Sequence, residues 1–262
     1  IPNASRIGYT GTPIDKTERV FGDYIDKYTM RQSIEDGVTL EIVYEGRTHN
    51  AEVPDQAGMD TAFADVFSDY NLQERLQILG YGSRDAYLEA KKTIAAKARD
   101  MVQHYLTHVF PNGFKAQIVA TSREAAVRYK EAIDAVLGEA RVAISQPPAQ
   151  AWGDWEGLKS LAADQLEPLR QLETDAVISG SHNDKPHLKP FTNKTQHETT
   201  IKSFKLPFGG EDNGVSGTVG IVIVNNMLLT GFDAPIEQVL YLDKVITAHN
   251  LLQAIARVNR VG

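Results

Sequence analysis

The residues best equipped for chemistry sit near the end of this 262-residue chain, in the string Leu251-Leu252-Gln253-Ala254-Ile255-Ala256-Arg257-Val258-Asn259-Arg260. At about 100° per residue on a helix, Gln253, Arg257 and Arg260 fall on one narrow stripe. Leu251, Ile255 and Val258 fall on the opposite side, where burial would fix the helix in place. Two guanidiniums and an amide would then point at the same partner. A guanidinium keeps its charge and offers a rigid fork of donors, so a pair of them suits a phosphate chain. The competing account is a surface helix carrying two solvated arginines.

Three further sets of residues share this character. Residues 228–235 read Leu-Leu-Thr-Gly-Phe-Asp-Ala-Pro and follow a run, 219–224, of Val-Gly-Ile-Val-Ile-Val. Such a run reads as a strand buried on both faces of a parallel sheet. The loop after it offers Thr230, Gly231 and Asp233: an anion contact, a close backbone approach and a carboxylate acceptor, or merely a capped Asx turn. Near the start, residues 6–10 read as a strand ending in Thr10-Gly11-Thr12-Pro13, either functional hydroxyls or a capped turn. Residues 115–120, Lys-Ala-Gln-Ile-Val-Ala, form another strand, and Thr121-Ser122-Arg123 opens a helix. There Ser122 and Arg123 either hold an anion at the helix N-terminus or only cap it.

In this order, the Thr10-Gly11-Thr12-Pro13 string, the Ser122-Arg123 turn, the Thr230-Gly231-Phe232-Asp233 loop and the Gln253/Arg257/Arg260 helix resemble motifs III, IV, V and VI of superfamily 2 helicases and translocases. Residues 21–29, 34–38, 229–244 and 249–260 sharpen the resemblance to the motor (R) subunit of type I restriction enzymes. The similarity covers about a third of the chain, roughly residues 5–45, 115–123 and 219–260.

That resemblance implies a RecA-like α/β fold with a doubly wound parallel sheet. Residues 1–36 would be the tail of a first RecA-like domain and a connector, and residues 37–262 a second motor domain with a helical insertion at about 55–110. It implies ATP and Mg²⁺ as cofactors, the metal held mainly by the first motor domain, and double-stranded DNA as partner. Methyltransferase and specificity subunits of a restriction complex would complete the assembly. Arg260 would be the arginine finger, Arg257 its partner on phosphate or on Asp233, and Gln253 a group that orients Arg257 or the attacking water. Gly231 and Asp233 would approach the nucleotide, and Thr10, Thr12, Ser122, Arg123 and Thr230 would touch DNA. The sequence contains no Gly-x-x-x-x-Gly-Lys-[Ser/Thr] phosphate loop, so the chain is expected to be an inactive piece of the motor by itself. Another superfamily 2 repair helicase, or a non-catalytic RecA-like binding module, are the alternatives.

These motifs need a scaffold, and the intervening pattern supplies one. Residues 24–35 read as a helix ended by Asp36-Gly37, and 38–44 as a strand. The helical pattern of 60–109 places Leu88, Ala95, Ala98, Val102, Leu106 and Val109 on one face. The helix after Ser122 buries Ala125, Ala126, Tyr129, Ile133, Val136 and Leu137. Residues 141–144, 176–179 and 239–242 read as further strands, whereas 145–173 and 181–218 read as loops or insertions. Strands alternating with helices imply a parallel, doubly wound sheet.

Composition excludes several classes. There is no cysteine, hence neither a disulfide framework nor a thiolate metal site. No apolar run approaches the ~18 residues that cross a bilayer, so no membrane role and a cytoplasmic setting are expected. A net charge of −7 argues against a broad nucleic-acid-binding face, though hydroxyls and backbone amides also hold phosphates. Pro54-Asp55 with Glu89 and Lys91 spells a nuclease signature, but two residues apart on a helix Glu89 and Lys91 diverge by about 200°. His104 and His108 have the i, i+4 spacing of a metal grip; they read instead as solvated surface histidines, and no metal site is expected.

Overall fold

The computed structural model describes residues 19–39, 42–43, 45–46, 89, 91–146, 152–153, 155–159, 161–229 and 232–244. Within them, four strands form one wholly parallel sheet: β1 (Lys115–Ala120), β2 (Glu173–Val177), β5 (Val219–Val224) and β6 (Glu237–Asp243), in the order β2-β5-β1-β6. Every residue of β1 and β5, the two central strands, is buried, as expected of strands covered on both faces. A separate two-residue hairpin pairs β3 (Glu211–Asp212) with β4 (Val215–Ser216) and turns through Asn213 and Gly214, both at positive φ.

The two sheet faces are covered by different layers. Ile118, Ala120, Ala176, Ile221 and Ile223 face α2 (Lys91–His104) and α3 (Arg123–Ile144). Val119, Val177, Val222 and Val224 face α6 (Lys194–Lys205) and the connection from β5 to β6, through Phe204, Leu229, Phe232 and Ala234. The strict alternation along β1 and β5 follows from the two-residue period of a strand. The described residues also include the short helices α1 (Met30–Glu35), α4 (Glu156–Lys159) and α5 (Leu166–Gln171). The result is an α/β doubly wound parallel sheet of RecA-like type.

Several expectations hold in detail. α3 starts directly after Ser122, and all six residues expected on its inner face are buried. α1 ends where Asp36 caps it and Gly37 turns at φ +69°. It is shorter than the expected 24–35, because the Thr29–Gln32 capping box fixes its start at Met30.

Others are corrected. Residues 141–144 are the last turn of α3, not a strand; Val142 and Ile144 are β-branched, but their neighbours continue the helical face of Ala140 and Ala143. Residues 181–218 are not merely loop: they contain the twelve-residue α6, capped by Asn193, whose side chain accepts from the Thr195 and Gln196 amides. Of the stretch 38–44, Val38, Thr39, Ile42 and Val43 are described, and none is in a strand. On α2, Ala95 is exposed and Ile94 is buried in its place. Leu88 and residues 51–87, where most of the expected helical insertion falls, lie outside the described residues.

Candidate functional site

Strand β1 delivers the chain to Thr121 and Ser122 at the carboxyl edge of the sheet, the edge at which open parallel sheets bind ligands. Ser122 is extended (φ −140°, ψ 171°), and its Oγ accepts the Ala125 amide at 3.0 Å. Its hydroxyl therefore caps α3. Arg123 is held twice: Nη1 donates to the Ser179 carbonyl at 2.7 Å, and Nη2 is ion-paired with Asp184. The Asp184 side chain is only 5% exposed against 23% for Arg123, and its second oxygen accepts the Ser181 amide at 2.7 Å. Hydrogen bonding from Arg123 holds the Asp184 carboxyl below the usual carboxylate range.

Next to it, Glu124 accepts from His187 at 2.9 Å and lies 3.3 Å from Arg128. The His187 hydrogen bond is the largest cause that lowers its pKa. With Lys185 Nζ 4.0 Å from the same carboxylate, loop 179–189 is thus clamped to the first turn of α3 by three acidic–basic contacts.

The other strand ends are tied to the same edge. Asn225, the residue after β5, donates from Nδ2 to the carbonyls of Ala120 at 3.0 Å and Thr121 at 2.9 Å. Lys244, the residue after β6, donates from Nζ to the Asn225 carbonyl at 3.3 Å and to the Asn226 side chain; partial burial lowers its pKa. Asp243 closes β6 by accepting from Tyr129 at 2.6 Å and Lys97 at 2.5 Å. One bracket, Asn225 with Lys244, therefore locks the exits of β1, β5 and β6 together.

Sequence reasoning missed both bracket residues and Asp184. The contacts that hold Arg123 and the strand exits span from 18 to 105 positions, so no local spacing announces them. It also missed Leu228, which sits at φ +62° in the turn after β5. A branched side chain in the left-handed region is strained and is retained only where its surroundings fix it.

Of the expected site residues, Ser122, Arg123 and Asp233 are described; Thr10, Thr12, Thr230, Gly231, Gln253, Arg257 and Arg260 lie outside the described residues. Ser122 and Arg123 are adjacent at the carboxyl edge. Asp233 is exposed between buried Phe232 and Ala234, in the connection that crosses β1 on the α6 face.

The histidine reading needs one correction. His108 is exposed, but His104 is half-buried, with Nδ1 2.8 Å from the Tyr241 hydroxyl. Among the described residues no group of three or more His, Cys, Asp or Glu is arranged to hold a metal ion. Glu89 and Lys91 are both helical, while Pro54 and Asp55 lie outside the described residues. No described helix is long and apolar enough to cross a membrane.

The four-stranded parallel sheet flanked by helices is an α/β fold consistent with a RecA-like domain. Residues 112–262 match the family described as type I restriction enzyme subunit R domain 3, and residues 1–76 match the SWI2/SNF2 ATPase family. The chain belongs to the type I restriction enzyme R subunit family. It is 33% identical over its whole length to the type I restriction enzyme HindI endonuclease subunit of Haemophilus influenzae, of which it covers 22%. It is 29% identical, over 99% of its length, to a candidate type I restriction enzyme MjaVIIP endonuclease subunit of Methanocaldococcus jannaschii, of which it covers 24%. The chain thus spans about a quarter of the length of these relatives.

Proposed function

We propose that this chain is part of the ATP-dependent double-stranded-DNA translocase motor of a type I restriction enzyme, and supplies motifs III to VI. Residues 1–36 belong to the first RecA-like domain and its connector, and residues 37–262 to the second. The observation that carries the reading is the bracket at the carboxyl edge. Asn225 and Lys244 bind the exits of β1, β5 and β6 into one unit, and each exit leads into one of the candidate motifs. A shift in one strand end is thereby transmitted to the other two, which is what coupling a nucleotide site to a DNA track requires.

ATP with Mg²⁺ supplies the phosphoryl group whose hydrolysis drives stepping, the metal being held mainly by the first motor domain. Arg260 stabilises the charge on the transferring phosphoryl oxygens, Arg257 touches phosphate or orients Asp233, and Gln253 orients Arg257 or water. Gly231 and Asp233 face the nucleotide. Thr10, Thr12, Ser122, Arg123 and Thr230 touch the DNA backbone, Ser122 through the α3 terminus that its hydroxyl caps. The working complex includes methyltransferase and specificity subunits, in the cytoplasm.

The test uses the intact subunit. Arg260→Ala leaves DNA binding and thermal melting near wild type and lowers ATP turnover by ~10³ or more; Arg260→Lys recovers little, since a point charge does not reproduce the planar fork. Turnover above about a tenth of wild type in Arg260→Ala removes Arg260 as the finger.

A further inference from the structure

Asp184 has no place in the motifs, yet it is the best-buried partner that the candidate DNA-contact residue Arg123 has. We infer that Asp184 is a positioning residue: it pre-sets the Arg123 guanidinium for a DNA phosphate. The inference rests on the reading of Arg123 as a DNA contact.

The geometry is that of a mount. Of an arginine's five N–H donors, the contacts to Asp184 and to the Ser179 carbonyl engage one on each terminal nitrogen. The remaining donors stay available on a side chain that is still 23% exposed. Asp184 is fixed in turn, because the Ser181 amide donates to its other oxygen. The guanidinium plane is therefore set by two acceptors from one loop, 61 residues away in sequence for Asp184. It sits beside the α3 N-terminus, whose partial positive charge favours an anion. An arginine already immobilised loses little rotamer freedom on binding phosphate, so affinity rises with no added hydrogen bond. The same loop is pinned a second time through His187 on Glu124, which keeps Asp184 from following Arg123 outward.

The experiment measures binding of the intact subunit to duplex DNA lacking a recognition site, by fluorescence anisotropy across a salt series, with thermal melting alongside. Arg123→Ala weakens binding and makes the log–log salt slope shallower by about 0.9, the value for one phosphate no longer neutralised. Asp184→Ala raises Kd by about two- to tenfold, the factor for re-immobilising one long side chain, and leaves the slope unchanged because Arg123 still reaches its phosphate. In the Arg123→Ala background, Asp184→Ala has no further effect on Kd. Tighter binding by Asp184→Ala would mean that the carboxylate competes with phosphate, and overturns the inference. So does a further loss in the double variant, which marks a general disturbance of the loop. If Arg123→Ala weakens binding and Asp184→Ala does not, only the positioning role falls. If Arg123→Ala changes neither Kd nor slope, the DNA reading of Arg123 falls, and this inference with it.

Discussion

Tyr129, in the second turn of α3, donates its hydroxyl at 2.6 Å to Asp243, the last residue of β6. The tyrosine is fully buried and the aspartate nearly so, and the second carboxylate oxygen accepts from Lys97 of α2 at 2.5 Å. Two helices of one layer thus converge on the residue from which the chain departs toward the arginine stripe. Tyr129→Phe keeps the packing and leaves one oxygen of a buried carboxylate short of a donor, so it is expected to cost about 1–3 kcal/mol. Urea unfolding with an unchanged m-value measures it; a loss under about 0.5 kcal/mol would mean that water or another donor replaces the hydroxyl.

A pair of glycines offers a control within one experiment. A Cβ on Gly220 of β5 would lie 2.3 Å from Leu172 Cδ1, 2.7 Å from the Tyr105 hydroxyl and 2.9 Å from Phe208 Cζ. Gly220→Ala overpacks that junction and is expected to destabilise by about 1–3 kcal/mol. Gly138, inside α3, has nothing within 4 Å of the same position. Gly138→Ala is expected to stabilise by up to about 1 kcal/mol. Thermal melts shifting in the same direction for both variants would contradict the packing described for β5.

Lys115 makes stability depend on alkaline pH. Its ammonium is fully buried near the rings of Phe204 and Phe208 and donates to the carbonyls of Ser203, at 3.0 Å, and Gly217, at 3.3 Å. Burial lowers its pKa from 10.5 to about 7. Because the folded pKa is the lower one, the unfolded chain holds more protons between the two values, and stability rises as pH climbs through that window. The limiting slope is about 1.4 kcal/mol per pH unit. Subtracting Lys115→Met isolates it, and a difference that stays flat between about pH 6.5 and 10 would refute the burial effect.

The isolated chain is expected to show no appreciable ATPase with or without DNA, since its sequence holds no phosphate-loop lysine to cradle the nucleotide. Its DNA binding should be weak, with a shallow salt dependence that reflects the net charge of −7. DNA-stimulated turnover by this chain, or a slope implying about eight or more phosphate contacts, would contradict the proposed division of labour.

The parts of the fold that depend on local pattern were legible. The all-apolar run at 219–224 and the strand–Ser–Arg–helix unit at 115–123 appear as read, because burial on both faces and an N-cap each leave a signature within a few residues. α6 was not legible: among its twelve residues the buried ones are His197, Thr200, Ser203 and Phe204, so its inner face is mostly polar and shows no hydrophobic period. Residues 141–144 misled in the opposite way, since Val142 reads as strand yet lies 60% exposed on a helix. At the site, Ser122 was readable as a cap, but the clamp on Arg123 was not. Asp184 sits in a segment whose composition says only loop, and nothing short of the folded topology brings it to α3.

Beyond α2, between Tyr105 and Val109, the helix passes through a π turn, and the buried positions Ile94, Ala98, Val102, Leu106 and Phe110 recur every four residues. In an unbroken α-helix a four-residue spacing overshoots each turn by about 40°, so this stripe would drift off the sheet. The wider turn takes the excess back. In effect the helix accommodates one surplus residue without rotating the chain downstream of it. Tyr105 stays aimed at the Gly220 carbonyl while the chain still enters β1 in register. Excising a single residue from that turn would restore ordinary helical pairing and leave both flanking faces aligned. The length of this helix is therefore a quantity the domain can alter by one without redrawing its core.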